Sequence, residues 1–167
     1  YMYIPYNYPF STGDFTIECW VYFKTTTTNQ GIFQLDQSPL SGVTYIAPVL
    51  FTGGGAYAGR WATMTKYGGN QSLYANSSYN PSTETWYHTA VVRNSGTVKV
   101  YIDGEEVISV SDQTDYTDRD SLVIGSFFSS SYDMDGYIDE FRITHKARYT
   151  SNFTPPTKEF FDIDINE

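Results

Sequence analysis

Between positions 15 and 23 the chain alternates with a period of two. Phe15, Ile17, Cys19, Val21 and Phe23 share one side, and Thr16, Glu18, Trp20 and Tyr22 share the other. Large residues stand on both sides, which predicts an inner strand of a sandwich: one face meets an opposing sheet and the other lines a concave surface. The turn Ser11-Thr12-Gly13-Asp14 precedes it and a polar loop over 25–30 follows. Shorter runs predict strands at 31–35, 44–51, 60–67, 71–75, 85–93, 97–102, 106–110, 122–125 and 136–144. Asn94-Ser95-Gly96 and Asp103-Gly104 close two tight turns, so three of these strands follow one another as antiparallel neighbours. A short turn or helix at 146–149 is the one helical candidate.

Composition agrees with an all-β reading. The 167 residues enclose a single core. Tyr 16 and Phe 11 favour strands, and Gly 13 with Pro 7 punctuate them. A formal charge of −9 with no basic stripe argues against nucleic acid as a partner. Cys19 has no second cysteine to pair with, and its place between Ile17 and Val21 predicts a buried thiol. No apolar run approaches the roughly 18 residues of a membrane-inserted helix, and no signal-peptide pattern opens the chain. The first residue, Tyr1, already lies in strand-like sequence, so the expectation is a domain over 1–160 cut from a larger protein, with 161–167 as an acidic tail leaving it.

Catalytic constellations are missing. A retaining glycosidase needs two carboxyl groups about 5–5.5 Å apart. Glu105 and Glu106 are adjacent and point to opposite faces, as do Asp139 and Glu140, while Glu18 stands alone on its strand. His88 and His145 lie in no motif with a nucleophile, and His88 reads as a packed residue. No phosphate loop, dinucleotide fingerprint or zinc spacing appears.

The segments GDFTIECWVYF, WYHTAVVRNSGTVKVYIDGEEV and GYIDEFRITHKARYTSNFTPP, in that order, resemble the laminin G-like and pentraxin-like branch of the concanavalin A-like lectins and glucanases. The resemblance implies a jelly-roll sandwich of two curved antiparallel sheets. The ending ARYTSNFTPP is similar to that of such domains in bacteriophage virion proteins, and environmental bacterial adhesins carry similar domains. Glucanases of this superfamily place an E-x-D-x-x-E pattern on one strand, which this chain lacks, so the resemblance implies binding rather than catalysis.

Two kinds of site follow as expectations. Many relatives hold calcium through rim carboxylates, and calcium takes six to eight oxygens. Asp133 and Asp135 precede the last strand, and Asp139 lies on it, on one face with Tyr137, Phe141 and Ile143. The alternative for Asp139 is an anchor that accepts loop hydrogen bonds or pairs with Arg93. Asp112, Asp115, Asp118 and Asp120 read as a solvated loop. Glycan binding needs flat aromatic faces, for which Trp61, Tyr67 and Tyr74 are the candidates, Trp20 and Trp86 being read as core.

The leading expectation is a non-catalytic module of a virion or extracellular surface protein. It would serve attachment, decoration or contacts with other subunits in an oligomeric assembly, with cell-surface glycan as a further partner and no cofactor required. A calcium-dependent carbohydrate-binding module of a secreted bacterial protein is the second reading and a glycoside hydrolase the third. Asn76-Ser77-Ser78 and Asn152-Phe153-Thr154 match glycosylation sequons.

Overall fold

The alternation at 15–23 is realised as strand β2 (Phe15–Phe23), whose inward side chains Phe15, Ile17, Cys19, Val21 and Phe23 have no exposure at all. The computed structural model describes residues 1–5, 10–36, 45–52, 60–65, 72–75, 80–113, 115–117, 121–126 and 132–160. Within them lie β1 (Met2–Pro5), β2, β3 (Gln30–Asp36), β4 (Tyr45–Thr52), β5 (Trp61–Thr65), β6 (Ser72–Ala75), β7 (Trp86–Asn94), β8 (Thr97–Ile102), β9 (Glu105–Ser111), β10 (Ser121–Ile124) and β11 (Gly136–Thr144). Every predicted strand is present, most shifted by a residue or two at their ends. The tail at 161–167 lies outside the described residues. Segment 146–149 forms bends and no helix. Among the described residues no helix is long and apolar enough to cross a membrane.

Two antiparallel sheets result, one ordered β1-β10-β3-β4-β5-β6 and the other β11-β2-β7-β8-β9. The hairpins β7–β8 and β8–β9 turn on Ser95-Gly96 and Asp103-Gly104, all four residues at positive φ. Between the sheets, the inward rows of β2, β7 and β8 meet Phe33, Leu35, Trp61 and Leu122. Arg93 closes one end of this core, 3.6 Å from Asp112 and donating to the Asp112 and Gly13 carbonyls. Tyr116 donates its hydroxyl to Asp112, and its ring lies beneath the Arg93 guanidinium. Arg93 therefore pairs with Asp112 and not with Asp139, and Asp112 is buried and not part of a solvated loop. Asp118 and Asp120 lie outside the described residues.

Strand β11 departs from simple alternation. Its register on β2 runs Tyr137↔Tyr22 and Asp139↔Trp20, then shifts to Arg142↔Glu18 across a bulge. Glu140 sits there at φ 52°, and Asp139 Oδ1 accepts the Glu140 N–H. The extra residue re-phases the strand. Phe141 and Ile143 turn inward, Phe141 edge-on to Phe33, while Arg142 turns outward. Asp139 consequently does not share a face with Phe141 and Ile143. Strict alternation would have driven the guanidinium into the core.

After β11 the chain doubles back across the outside of the five-stranded sheet. Residues 145–160 form a strap without regular structure. Thr16 Oγ1 donates to the Lys146 carbonyl and accepts the Arg148 N–H; Phe153 N–H donates to Gly104, and Asn152 Oδ1 accepts from Glu106 N–H. Ala147, Tyr149 and Phe153 pack on Ala90, Val92 and Tyr101. A Cβ at Gly104 would come within 1.8 Å of the Phe153 carbonyl oxygen, and φ there is +82°. Gly104→Ala is therefore expected to cost about 2–3 kcal/mol or more from backbone strain and displacement of the strap. Denaturant titration would measure the loss, and limited proteolysis should cut the variant first within 145–160.

Candidate functional site on the outer face of the five-stranded sheet

The outer face is organised in register rungs that cross β7, β2 and β11. They read Trp86, Tyr22, Tyr137; then His88, Trp20, Asp139; then Ala90, Glu18, Arg142; then Val92, Thr16, Thr144. The last two rungs lie under the strap. The first lies beyond it.

Glu18 centres the covered part and is fully buried. Its Oε1 accepts from Arg142 Nε at 2.9 Å and Nη2 at 2.7 Å. Its Oε2 accepts the Tyr149 hydroxyl at 2.8 Å and faces His88 Nε2 at 3.2 Å. Arg148 Nε stands 3.8 Å from Oε1. Facing an ionised carboxylate, His88 Nε2 carries the proton. Burial alone would raise the Glu18 pKa, but the hydrogen bonds from His88, Arg142 and Tyr149 and the Arg142 charge outweigh it and hold the carboxyl below its ordinary value. The Tyr149 phenol is raised by its burial and by Glu18. A carboxylate held ionised and with four donors around it is a poor general acid.

The uncovered rung has another character. Trp86 is 42% and Tyr137 53% exposed, with Tyr22 half-buried between them. Tyr22 lies 5.5 Å from each neighbouring ring centroid, at interplanar angles of 53° to Trp86 and 44° to Tyr137. Trp20, on the next rung, stands edge-on to His88. Lys24 Nζ sits 4.7 Å over the Tyr137 ring. Phe160, at the strap's far end, stacks on the Arg142 guanidinium and donates its N–H to Glu140. The outer face thus divides into a strapped half and an open aromatic row.

The expected ligand residues fall elsewhere. Trp61 is completely buried between Phe23 and Tyr87, its ring edge-on to both, so it is a core residue and cannot meet a glycan. Tyr67 lies outside the described residues; Tyr74 lies on β6, and its side chain is outside them. Trp86, read as core, is the exposed one. Asp133, Asp135 and Asp139 are all exposed, the first two in the turn before β11 and the third beside the bulge. Among the described residues no three His, Cys, Asp or Glu side chains group to hold a metal. Cys19 lies in the core as expected, its thiol pushed up to about 12 by burial. The Asn152 sequon side chain is engaged by β9, and the Asn76 sequon lies outside the described residues.

A family model of the concanavalin A-like lectin/glucanases superfamily matches residues 1–151. The chain belongs to this superfamily. No curated protein sequence matches it. Among solved structures, this superfamily member is similar to domain 4 of an extracellular GH43 arabinanase from Geobacillus stearothermophilus in complex with arabinotriose. The identity is 25% and the TM-score 0.54, over 82% of this chain and 62% of that one. A putative carbohydrate binding protein from Bacteroides ovatus is 22% identical, at TM-score 0.63, over 88% of this chain and 42% of that one. The CBM40 of the Ruminococcus gnavus IT-sialidase bound to α2,6 sialyllactose shares 11% identity at TM-score 0.68, over 84% and 81%. The chain thus spans under two thirds of the first two. These likenesses, with the two antiparallel sheets, fix the jelly-roll sandwich.

Because the Glu18 pKa is depressed, its contribution to stability is present above the ordinary carboxylate pKa and is lost as pH falls through the folded value. Glu18→Gln is expected to lower stability at neutral pH and to flatten the acid limb of a stability–pH profile measured by urea titration. Arg142→Ala leaves a buried charge without its main partner, and should cost more, about 3–5 kcal/mol.

Proposed function

We propose that this domain is a non-catalytic carbohydrate-binding module, attaching its parent protein to glycan from a virion or other extracellular surface. The observation that carries the reading is the row Trp86, Tyr22 and Tyr137, three aromatic side chains on one rung of the sheet face, beyond the strap. Aromatic rings present flat apolar surface to the C–H face of a sugar while neighbouring polar groups orient its hydroxyls. Asp139, on the adjoining rung, supplies such a group. The glycans in the structures of the arabinanase domain and the sialidase module support the reading by analogy. Against catalysis stands the state of Glu18, ionised and buried beneath the strap.

The contact needs no metal, because stacking and hydroxyl hydrogen bonds suffice. The virion setting rests on the similarity of ARYTSNFTPP to phage domain endings. Subunit contacts within a larger assembly belong to the same proposal, which the parent polypeptide would decide.

Glycan-array binding followed by calorimetry tests the reading. Trp86→Ala is expected to weaken the best ligand about tenfold or more, corresponding to about 1.4 kcal/mol, with chelator making no difference. Trp61→Phe should lower the melting temperature and leave affinity unchanged. Binding indifferent to Trp86→Ala would refute the site, and binding abolished by chelator would refute its independence of metal.

A further inference from the structure

We infer that the aromatic row takes an uncharged glycan chain laid across the strands, about one sugar unit per ring, and excludes acidic glycans. This rests on the reading of the row as a glycan site. Direction follows from the register. The three rings occupy directly opposed positions on β7, β2 and β11, with centroids 5.5 Å apart at each step. That step approximates the strand separation and is about one pyranose unit in length. Along β2 itself the next outward residue after Tyr22 is Trp20, edge-on to His88, and beyond it Glu18 is buried beneath the strap. A ligand running along the strand would soon meet protein. One crossing the strands meets three rings.

Charge follows from what frames the row. Glu84 is exposed two residues before Trp86, in a turn fixed by its N–H donating to the Phe23 carbonyl. Asp135 is exposed two residues before Tyr137, its carbonyl accepting the Lys24 N–H. Asp139 is exposed on the next rung, beside Trp20, and Asp133 lies further along the same turn. Lys24 is seated over the Tyr137 ring. Arg142 is directed to Glu18 and Phe160. The whole chain carries −9, so its long-range field adds to the local one. Sialylated or uronate chains would bring further carboxylates into this frame, whereas an uncharged chain brings no charge for it to repel.

The test screens the domain against a panel of uncharged and carboxylated glycans, including lactose paired with sialyllactose and galacto- paired with galacturono-oligosaccharides. Hits are expected among uncharged chains. In the low-salt limit a carboxylated counterpart should bind at least about tenfold more weakly, the gap narrowing near 1 M salt where screening shortens to about 3 Å. Affinity of the best uncharged hit should rise from two units to three and level off beyond. The double variant Glu84→Gln/Asp135→Asn should narrow the gap while keeping the uncharged ligand, since neither residue is one of the rings or the Asp139 carboxylate. Acidic glycans that bind as well or better, and are lost in Trp86→Ala, would overturn the exclusion while leaving the site intact. No binding at all, or binding that survives Trp86→Ala, would instead overturn the glycan site, and this inference with it.

Discussion

The structure depends on one buried carboxylate. Glu18 lies at the centre of β2, and in an apolar surround its charge would cost several kcal/mol. What makes it tolerable is that donors converge on it from three elements far away in sequence: His88 70 positions on, Arg142 124 positions on, and Tyr149 131 positions on. Each comes from a different part of the fold, β7, β11 and the strap. Satisfying one side chain therefore fixes the sheet order on both sides of β2 and the path of the chain that leaves it.

Delivering Arg142 to that carboxylate requires the bulge in β11. A strand of pure period two cannot place Tyr137, Asp139 and Arg142 all outward, and the added residue at Glu140 is what permits it. Asp139 acts locally here, accepting the N–H of the residue held at positive φ. The bulge also divides the outer face. Rungs on the Arg142 side carry a charge network and small apolar residues that a strap can cover. On the Tyr137 side the strap reaches only His88, and Trp86 and Tyr137 stay exposed.

How legible this was depends on whether the cause is local. The strands were legible because alternation and the turns at Asn94-Ser95-Gly96 and Asp103-Gly104 are properties of neighbouring residues. The bulge was not, since period two carried through 136–144 assigns Asp139 and Phe141 to one face. Glu18 looked solitary because its partners are distant in sequence. Trp61 and Trp86 exchanged roles for a related reason. Both are aromatic residues at strand starts, and nothing within a few residues of either tells which sheet face will be covered. The ending ARYTSNFTPP, which reads as a sign of setting, has physical employment inside the domain: Tyr149 on Glu18, Asn152 on β9, Phe153 on Gly104.

An exposed row of a tryptophan and two tyrosines is an invitation to self-association, because burying such rings against a second copy would recover much of their hydrophobic free energy. The carboxylates that frame the row oppose this. Two copies meeting row to row would bring Glu84, Asp135 and Asp139 of each against those of the other, with the −9 of both chains adding to the repulsion. An uncharged ligand meets no such barrier. The same acidic frame can thus keep an apolar surface open in solution and leave it available to the one class of partner that carries no charge of its own.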